Sequence, residues 1–221
     1  MKIANQPHPR FITFEGGEGA GKTTLMNYLQ NQLEFWGYSV TRTREPGGTL
    51  LGEQIRNLLL SHIDMPICGK SELYLFLAVR AQHIEEVIAP ALSRGKIVMC
   101  DRFNDSTIAY QGVGRGLGIE YVKEICLSAC GDILPDLTLY LDVDPIEGLA
   151  RTKRTHKENA ASGNVDRIEA EQLQFHRDVR QAFIDLSKAE PERLFIIDAN
   201  QIQSKVFATA KKMLEAKFRI D

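Results

Sequence analysis

Two rhythms of apolar and polar positions alternate along this chain of 221 residues. Short apolar runs rich in β-branched residues, at 10–15, 38–43, 96–101, 137–142 and 194–198, read as strands. Between them, apolar residues recur at helical spacing over about 22–36, 50–61, 71–93, 119–130, 145–154, 168–188 and 201–218. The first helical stretch buries Leu25, Tyr28, Leu29, Leu33 and Trp36 on one face, and Gly37 ends it. Strand–helix alternation of this kind predicts an α/β fold: a five-stranded parallel sheet with helices on both faces. In such sheets ligands bind beyond the carboxyl ends of the strands, where Glu15, Thr43, Arg44, Asp101, Arg102 and Asp142 fall. No repeat and no linker divides the pattern, so 1–221 reads as one domain. One polar patch, 156–164, interrupts it and reads as a mobile loop.

Composition narrows the picture. The 43% hydrophobic content is ample for a core, and 27 basic against 29 acidic residues leave no global field for nucleic acid or an anionic membrane. Anion binding must come from local clusters. No apolar run is long enough to span a bilayer and residues 1–9 lack a signal-peptide core, so a cytoplasmic protein is expected. Cys68, Cys100, Cys126 and Cys130 make no disulfide framework in a chain of this size. Cys126 and Cys130 are one helical turn apart, but no His or second Cys pair has matching spacing; they read as small buried apolar residues.

The densest chemistry lies in the stretch from Phe14 to Thr24, where Gly16, Gly21, Lys22 and Thr23 satisfy G-x-x-x-x-G-K-[ST] between a strand and a helix. In this P-loop the backbone N–H groups turn inward to form an anion cradle, reinforced by the N-terminus of the following helix. The stretch predicts a nucleoside-triphosphate site formed by Gly16, Gly17, Glu18, Gly19, Ala20, Gly21, Lys22, Thr23 and Thr24. Lys22 reaches the β- and γ-phosphates in this reading, and the Thr23 hydroxyl ligates Mg²⁺.

Further along, Arg44 follows a strand and precedes a helix N-terminus, an arrangement suited to a second phosphate. Two strands end in an acid of the kind that organises Mg²⁺, Asp101 and Asp142, and the pattern alone does not choose between them. The anion-binding Arg102 directly after Asp101 favours Asp101.

Together these segments resemble a thymidylate kinase of the bacterial type. The resemblance rests on the P-loop, on Thr43-Arg44-Glu45-Pro46-Gly47-Gly48-Thr49, on Phe76-x-x-x-Arg80 and on Asp101-Arg102-Phe103. It continues through Ser106-Thr107-x-Ala109-Tyr110-Gln111-Gly112 and Asp166-Arg167-Ile168-Glu169, covering nearly the whole chain in order. It implies a P-loop kinase fold with a lid segment at about 151–167, a homodimer packed through helices, and transfer of a phosphoryl group from ATP to dTMP. It also implies that Phe76 stacks on thymine, that Arg80 hydrogen-bonds O4 and that Thr107 lies near N3. Tyr110 would lie beneath the deoxyribose, Arg102 with Arg44 would hold the acceptor phosphate, and Glu18 would sit near both. Gln111 joins the substrate-binding set in the same motif. Some members of the family carry an arginine at the position of Gly19; here the resemblance moves that charge to the lid cations Arg151, Lys153 and Arg154.

A dianionic monophosphate is already a nucleophile, so positioning and charge neutralisation are what the site must supply. Two other readings compete. Another nucleoside monophosphate kinase or a deoxynucleoside kinase on the same scaffold would need, in the latter case, Glu15 or Glu18 as base. A GTPase-type switch would need the guanine-reading N-K-x-D, which is absent.

Overall fold

The computed structural model describes residues 10–60, 66–158 and 166–218. Five parallel strands, β1 (Phe11–Gly16), β2 (Val40–Arg44), β3 (Ile97–Asp101), β4 (Leu137–Asp142) and β5 (Leu194–Asp198), form one sheet in the order β2-β3-β1-β4-β5. The helices are α1 (Lys22–Phe35), α2 (Leu50–Leu60), α3 (Gly69–His83), α4 (Ala89–Ser93), α5 (Asn104–Thr107), α6 (Ile119–Cys130), α7 (Pro145–Glu158), α8 (Leu173–Ala189) and α9 (Gln203–Phe218). Among the described residues, no helix is long and apolar enough to cross a membrane.

The central strands β1, β3 and β4 are buried nearly throughout, which explains their unbroken apolar runs, whereas the edge strands β2 and β5 alternate. Successive residues of β1 face opposite layers. Ile12 and Phe14 pack with Leu25 and Leu29 of α1 and Leu214 of α9, while Phe11 packs with Ile88, Ala91 and Phe103. The polar exceptions pair with each other: the Thr13 and Thr138 hydroxyls lie 2.7 Å apart in the interior.

Register then gathers the site. Phe14 and Arg44 both pair with Asp101, and Gly16 pairs with Leu141, so the P-loop, Arg44 and Asp101 leave the sheet at one edge.

Residues 104–114, given no helix by the sequence pattern, are helical, and the observed elements depart from expectation at four further places. The strand expected from 38 begins at Val40, because the Tyr38 N–H still closes the end of α1 on the Leu33 carbonyl at 3.0 Å. The helix expected at 71–93 widens into a π-helical turn at Ile84–Ile88, immediately before Pro90, which has no N–H to give. The helix expected from 168 starts at Leu173; the Asp166 carboxylate takes the N–H groups of Ile168 and Glu169, at 2.9 and 2.7 Å, and holds a turn there. The helix expected over 145–154 runs on to Glu158, so residues 156–158 are helical rather than loop, and 159–164 of the expected loop lie outside the described residues.

Candidate active site

The P-loop curls through left-handed backbone. Gly19 has φ 64°, and a Cβ there would lie 2.1 Å from the carbonyl oxygen of Gly148. A Cβ on Gly148 would in turn lie 2.3 Å from the Glu18 carbonyl oxygen. The start of α7 therefore packs on the loop through paired glycines, and position 19 has no room for an arginine. The Lys22 ammonium crosses the loop to the carbonyls of Gly16 and Gly17, at 3.1 and 3.3 Å. Burial and the neighbouring Arg102 lower its pKa, against the pull of Asp101 and Glu18.

β3 ends at Asp101, and Arg102 then adopts the left-handed region at φ 68°. Two hydrogen bonds hold that turn from beneath: the Arg102 N–H to the Phe14 carbonyl, 2.9 Å, and the Phe103 N–H to the Glu15 carboxyl, 2.8 Å. Glu15 also accepts the Ser106 hydroxyl at 2.5 Å and is fully buried. Burial, with the nearby Asp105 charge, pushes its pKa up to about 8, so it carries a proton at neutral pH. Asp105 is held by a two-pronged pair to Arg193, both distances 2.8 Å.

The Arg102 guanidinium so placed is not bare. It contacts Glu18 at 2.7 Å and the hydroxyls of Tyr110 and Ser106 at 3.2 and 3.3 Å. Burial alone would raise the pKa of Glu18; Arg102 and Lys22 reverse the direction and keep it ionised. Tyr110 shifts upward, through burial, and stays neutral.

These groups line one cavity of about 720 Å³ along the carboxyl edge of the sheet. The P-loop from Glu18 to Thr24, the base-side group Phe76, Arg80, Thr107 and Gln111, and Arg44, Arg56 and Arg102 all line it. Arg44 is tied to Glu53 at 2.8 Å and Arg56 to the Pro46 carbonyl at 2.7 Å. Arg80 is 1% exposed and Phe76 half-buried, so this aromatic belongs to the cavity wall as well as to the core behind it. Arg80 lies 2.8 Å from both Glu45 and the Thr107 hydroxyl. Gln111 donates to the buried Glu72 at 2.8 Å, leaving its carbonyl oxygen as the atom able to accept.

Of the lid cations, Arg151 lines the cavity, hydrogen-bonded to Glu147 at 2.9 Å and to the Ala199 carbonyl at 3.0 Å. Lys153 and Arg154 are exposed, Arg154 reaching Glu147 at 3.1 Å. The two candidate acids also separate. Asp142 is occupied by Arg180, at 2.6 and 2.9 Å, and by the Tyr140 hydroxyl. Asp101 keeps Oδ1 buried with no hydrogen-bond partner among the described residues.

With this geometry in view, comparison with known proteins is specific. The thymidylate kinase family model matches residues 14–209. The chain belongs to the thymidylate kinase family. A family member from Protochlamydia amoebophila is 57% identical over 206 residues, covering 93% of this chain and 92% of its own. Another, from Magnetococcus marinus, is 48% identical over 95% of this chain and 97% of its own. The crystal structure of the thymidylate kinase from Ehrlichia chaffeensis superposes with a TM-score of 0.74 at 36% identity, covering 94% of this chain and all of that one.

Membership in the family makes the cavity's unpredicted residues informative. Arg56, Ser106, Glu45 and Asp166 line it without having been singled out in the sequence. Arg56 follows Glu53 at helical spacing, and nothing in that spacing marks it as facing a cavity. Ser106 and Glu45 lay inside recognised motifs, and only the fold shows which way each side chain turns. Among the described residues, no cluster of three His, Cys, Asp or Glu is arranged to hold a metal ion by itself.

Proposed function

We infer that this chain transfers the γ-phosphoryl group of ATP to dTMP, giving ADP and dTDP. The observation that carries the reading is one cavity lined together by a P-loop, the Phe76–Arg80 pair and the arginines Arg44, Arg56 and Arg102. The P-loop amides and Lys22 hold the donor phosphates, and Arg102, Arg44 and Arg56 hold the acceptor phosphate. The dianion needs no base, so the buried Glu15 serves as a clamp on the Arg102 turn rather than as a proton acceptor. Arg80 offers only donors and suits the O4 acceptor of thymine; Thr107 and the Gln111 carbonyl suit N3–H. Phe76 supplies a stacking face, and Tyr110 fills the space a 2′-hydroxyl would need.

Mg²⁺ fits the residues present. Asp101 Oδ1, buried and unpartnered, and the exposed Thr23 hydroxyl would hold it, while Asp142 is taken by Arg180. When bound, the ion neutralises charge on the donor phosphates. Arg151 is the lid cation best supported for the charge that Gly19 does not supply, within a single domain whose lid spans about 151–167. A cytoplasmic homodimer fits the exposed apolar side chains of Tyr74 on α3 and Ile119 and Leu127 on α6.

The test is ATP-dependent ADP release with dTMP, dUMP, dCMP, UMP, thymidine and no acceptor. Expected is dTMP first, dUMP weaker, and dCMP lower by roughly tenfold to a hundredfold, the cost of an unpaired buried donor. Tyr110→Ala admits UMP, whereas Tyr110→Phe does not. A preference for thymidine, or release with GTP alone, would overturn the reading.

A further inference from the structure

We propose that Thr43, His83 and Glu45 form a positioning relay that fixes the Arg80 guanidinium and so sets the preference between thymine and cytosine. The proposal rests on Arg80 as the group that meets the base carbonyl, and two of its members, Thr43 and His83, lie behind the cavity lining. Glu45, His83, Arg80 and Thr107 are all nine-tenths or more buried. His83 stands one helical turn after Arg80 on α3, so both side chains leave the same face. They converge on one carboxylate. His83 Nδ1 lies 3.0 Å from Glu45 Oε1, and Arg80 Nε and Nη2 lie 2.8 and 2.7 Å from Oε2.

The donors and acceptors of this chain can be ordered. Glu45 is the counter-charge of Arg80 and can only accept, so the hydrogen between it and His83 sits on Nδ1. Nε2, on the other side of the ring, lies 2.6 Å from the Thr43 hydroxyl, which completes the chain. The loop after β2 closes against this pair: a Cβ on Gly48 would lie 2.6 Å from His83 Nε2 and 2.8 Å from the Thr43 hydroxyl oxygen. On the cavity side, Arg80 Nη2 donates to the Thr107 hydroxyl at 2.8 Å. Nη1 lies 3.6 Å from the sulfur of Cys126, and among the described residues no oxygen is paired with it.

An arginine held on one edge by a carboxylate, which is itself held by an imidazole, has lost the rotations that would let it swing aside. That immobility is what makes the base choice sharp. Thymine O4 accepts from the guanidinium; the cytosine amino group sets a donor against a donor. The mismatch is felt in full only where the guanidinium cannot turn away.

The experiment compares kcat and KM for dTMP and dCMP in the full-length protein and in His83→Leu, His83→Asn, Thr43→Val and Arg80→Met. Expected is a dTMP-to-dCMP ratio of kcat/KM that narrows about tenfold in His83→Leu, mostly through KM. Thr43→Val, which keeps shape but removes the hydroxyl, narrows it in the same direction. His83→Asn, which retains an N–H toward Glu45, restores the ratio to within about threefold of the parent. General loss of structure lowers both substrates together and leaves the ratio alone. Where His83→Leu does not fold, Thr43→Val decides. An unchanged ratio in the His83 and Thr43 variants, with a flattened ratio in Arg80→Met, overturns the relay and leaves the base reading standing. An unchanged ratio in Arg80→Met overturns the base reading, and the relay with it.

Discussion

A left-handed backbone at a residue with a side chain is unfavourable by roughly 1–2 kcal/mol, and Arg102 adopts one at φ 68° in the middle of the cavity. The Glu15 carboxyl and the Phe14 carbonyl hold the strained turn, and its result is a guanidinium within reach of Glu18, Ser106 and Tyr110 at once. Replacing Arg102 by glycine or alanine separates the two effects. Both variants lose at least about a hundredfold in turnover, because each removes a fixed charge from the phosphate path. In denaturant titrations, however, Arg102→Gly exceeds Arg102→Ala in stability by about 1 kcal/mol, since only glycine is at ease at that φ. Glu15 makes a separate claim on pH. Its pKa of about 8 in the fold lies above the ordinary 4.5. Between those values the unfolded chain releases a proton that the folded chain keeps, so this residue's contribution to stability falls as pH rises through the window. Glu15→Gln removes that dependence. The melting temperature of Glu15→Gln relative to the parent should therefore climb from pH 5 to pH 8 and level off above it; a difference constant with pH would mean that Glu15 is ionised in the fold.

At the scale of elements, α5 and the π-helical segment Ile108–Gly114 were the least legible part of the fold. Apolar periodicity finds a helix when its polar positions face water. Here Asn104, Asp105, Ser106, Thr107 and Gln111 are all buried, turned in that order toward Cys130, Arg193, Glu15, Arg80 and Glu72. The signature of a surface helix is absent because the polar face is the functional one. By contrast, β1, β3 and β4 were readable to within about a residue, since strands buried on both faces leave continuous apolar runs. The P-loop was legible for a different reason, its glycines being demanded by backbone geometry. The paired glycines extend that demand to α7, where Gly148 sits within a helix and no turn calls for it. Gly148→Ala should destabilise the fold and weaken ATP binding together, as measured by thermal shift with and without ATP, because its Cβ meets backbone rather than a movable side chain. Retained ATP binding would mean that α7 can withdraw from the loop at little cost.

For the molecule as a whole, a net charge of −2 conceals a strongly cationic interior. Lys22, Arg44, Arg56, Arg102 and Arg151 all line one cavity, each paired with a carboxylate or a carbonyl oxygen. Global composition could exclude a nucleic-acid or membrane surface but could not reveal this concentration, because the five residues come from five separate segments. On the proposed reading, two anionic ligands bound together should shield the segment 151–167. ATP with dTMP is expected to protect 151–167 from limited proteolysis, read by mass spectrometry of the fragments, and neither nucleotide alone should match the pair. Cleavage indifferent to both would remove the segment from the reaction.

The contact between Gly19 and Gly148 divides the machine into a fixed part and a part hung upon it. On the proposed reading, acceptor recognition falls to β3, α3 and the helical turns after Arg102, all packed into the core. Arg151, which also lines the cavity, rides on α7, which meets the donor loop through bare backbone. On that reading, speed and fidelity fall to different pieces of hardware. Arg151→Gln should lower kcat at least tenfold while leaving the order dTMP, dUMP, dCMP unchanged in parallel assays of all three. A lineage could therefore retune how fast its enzyme turns over, by altering α7 and the lid residues beyond it, without relaxing which base it lets into the DNA precursor pool.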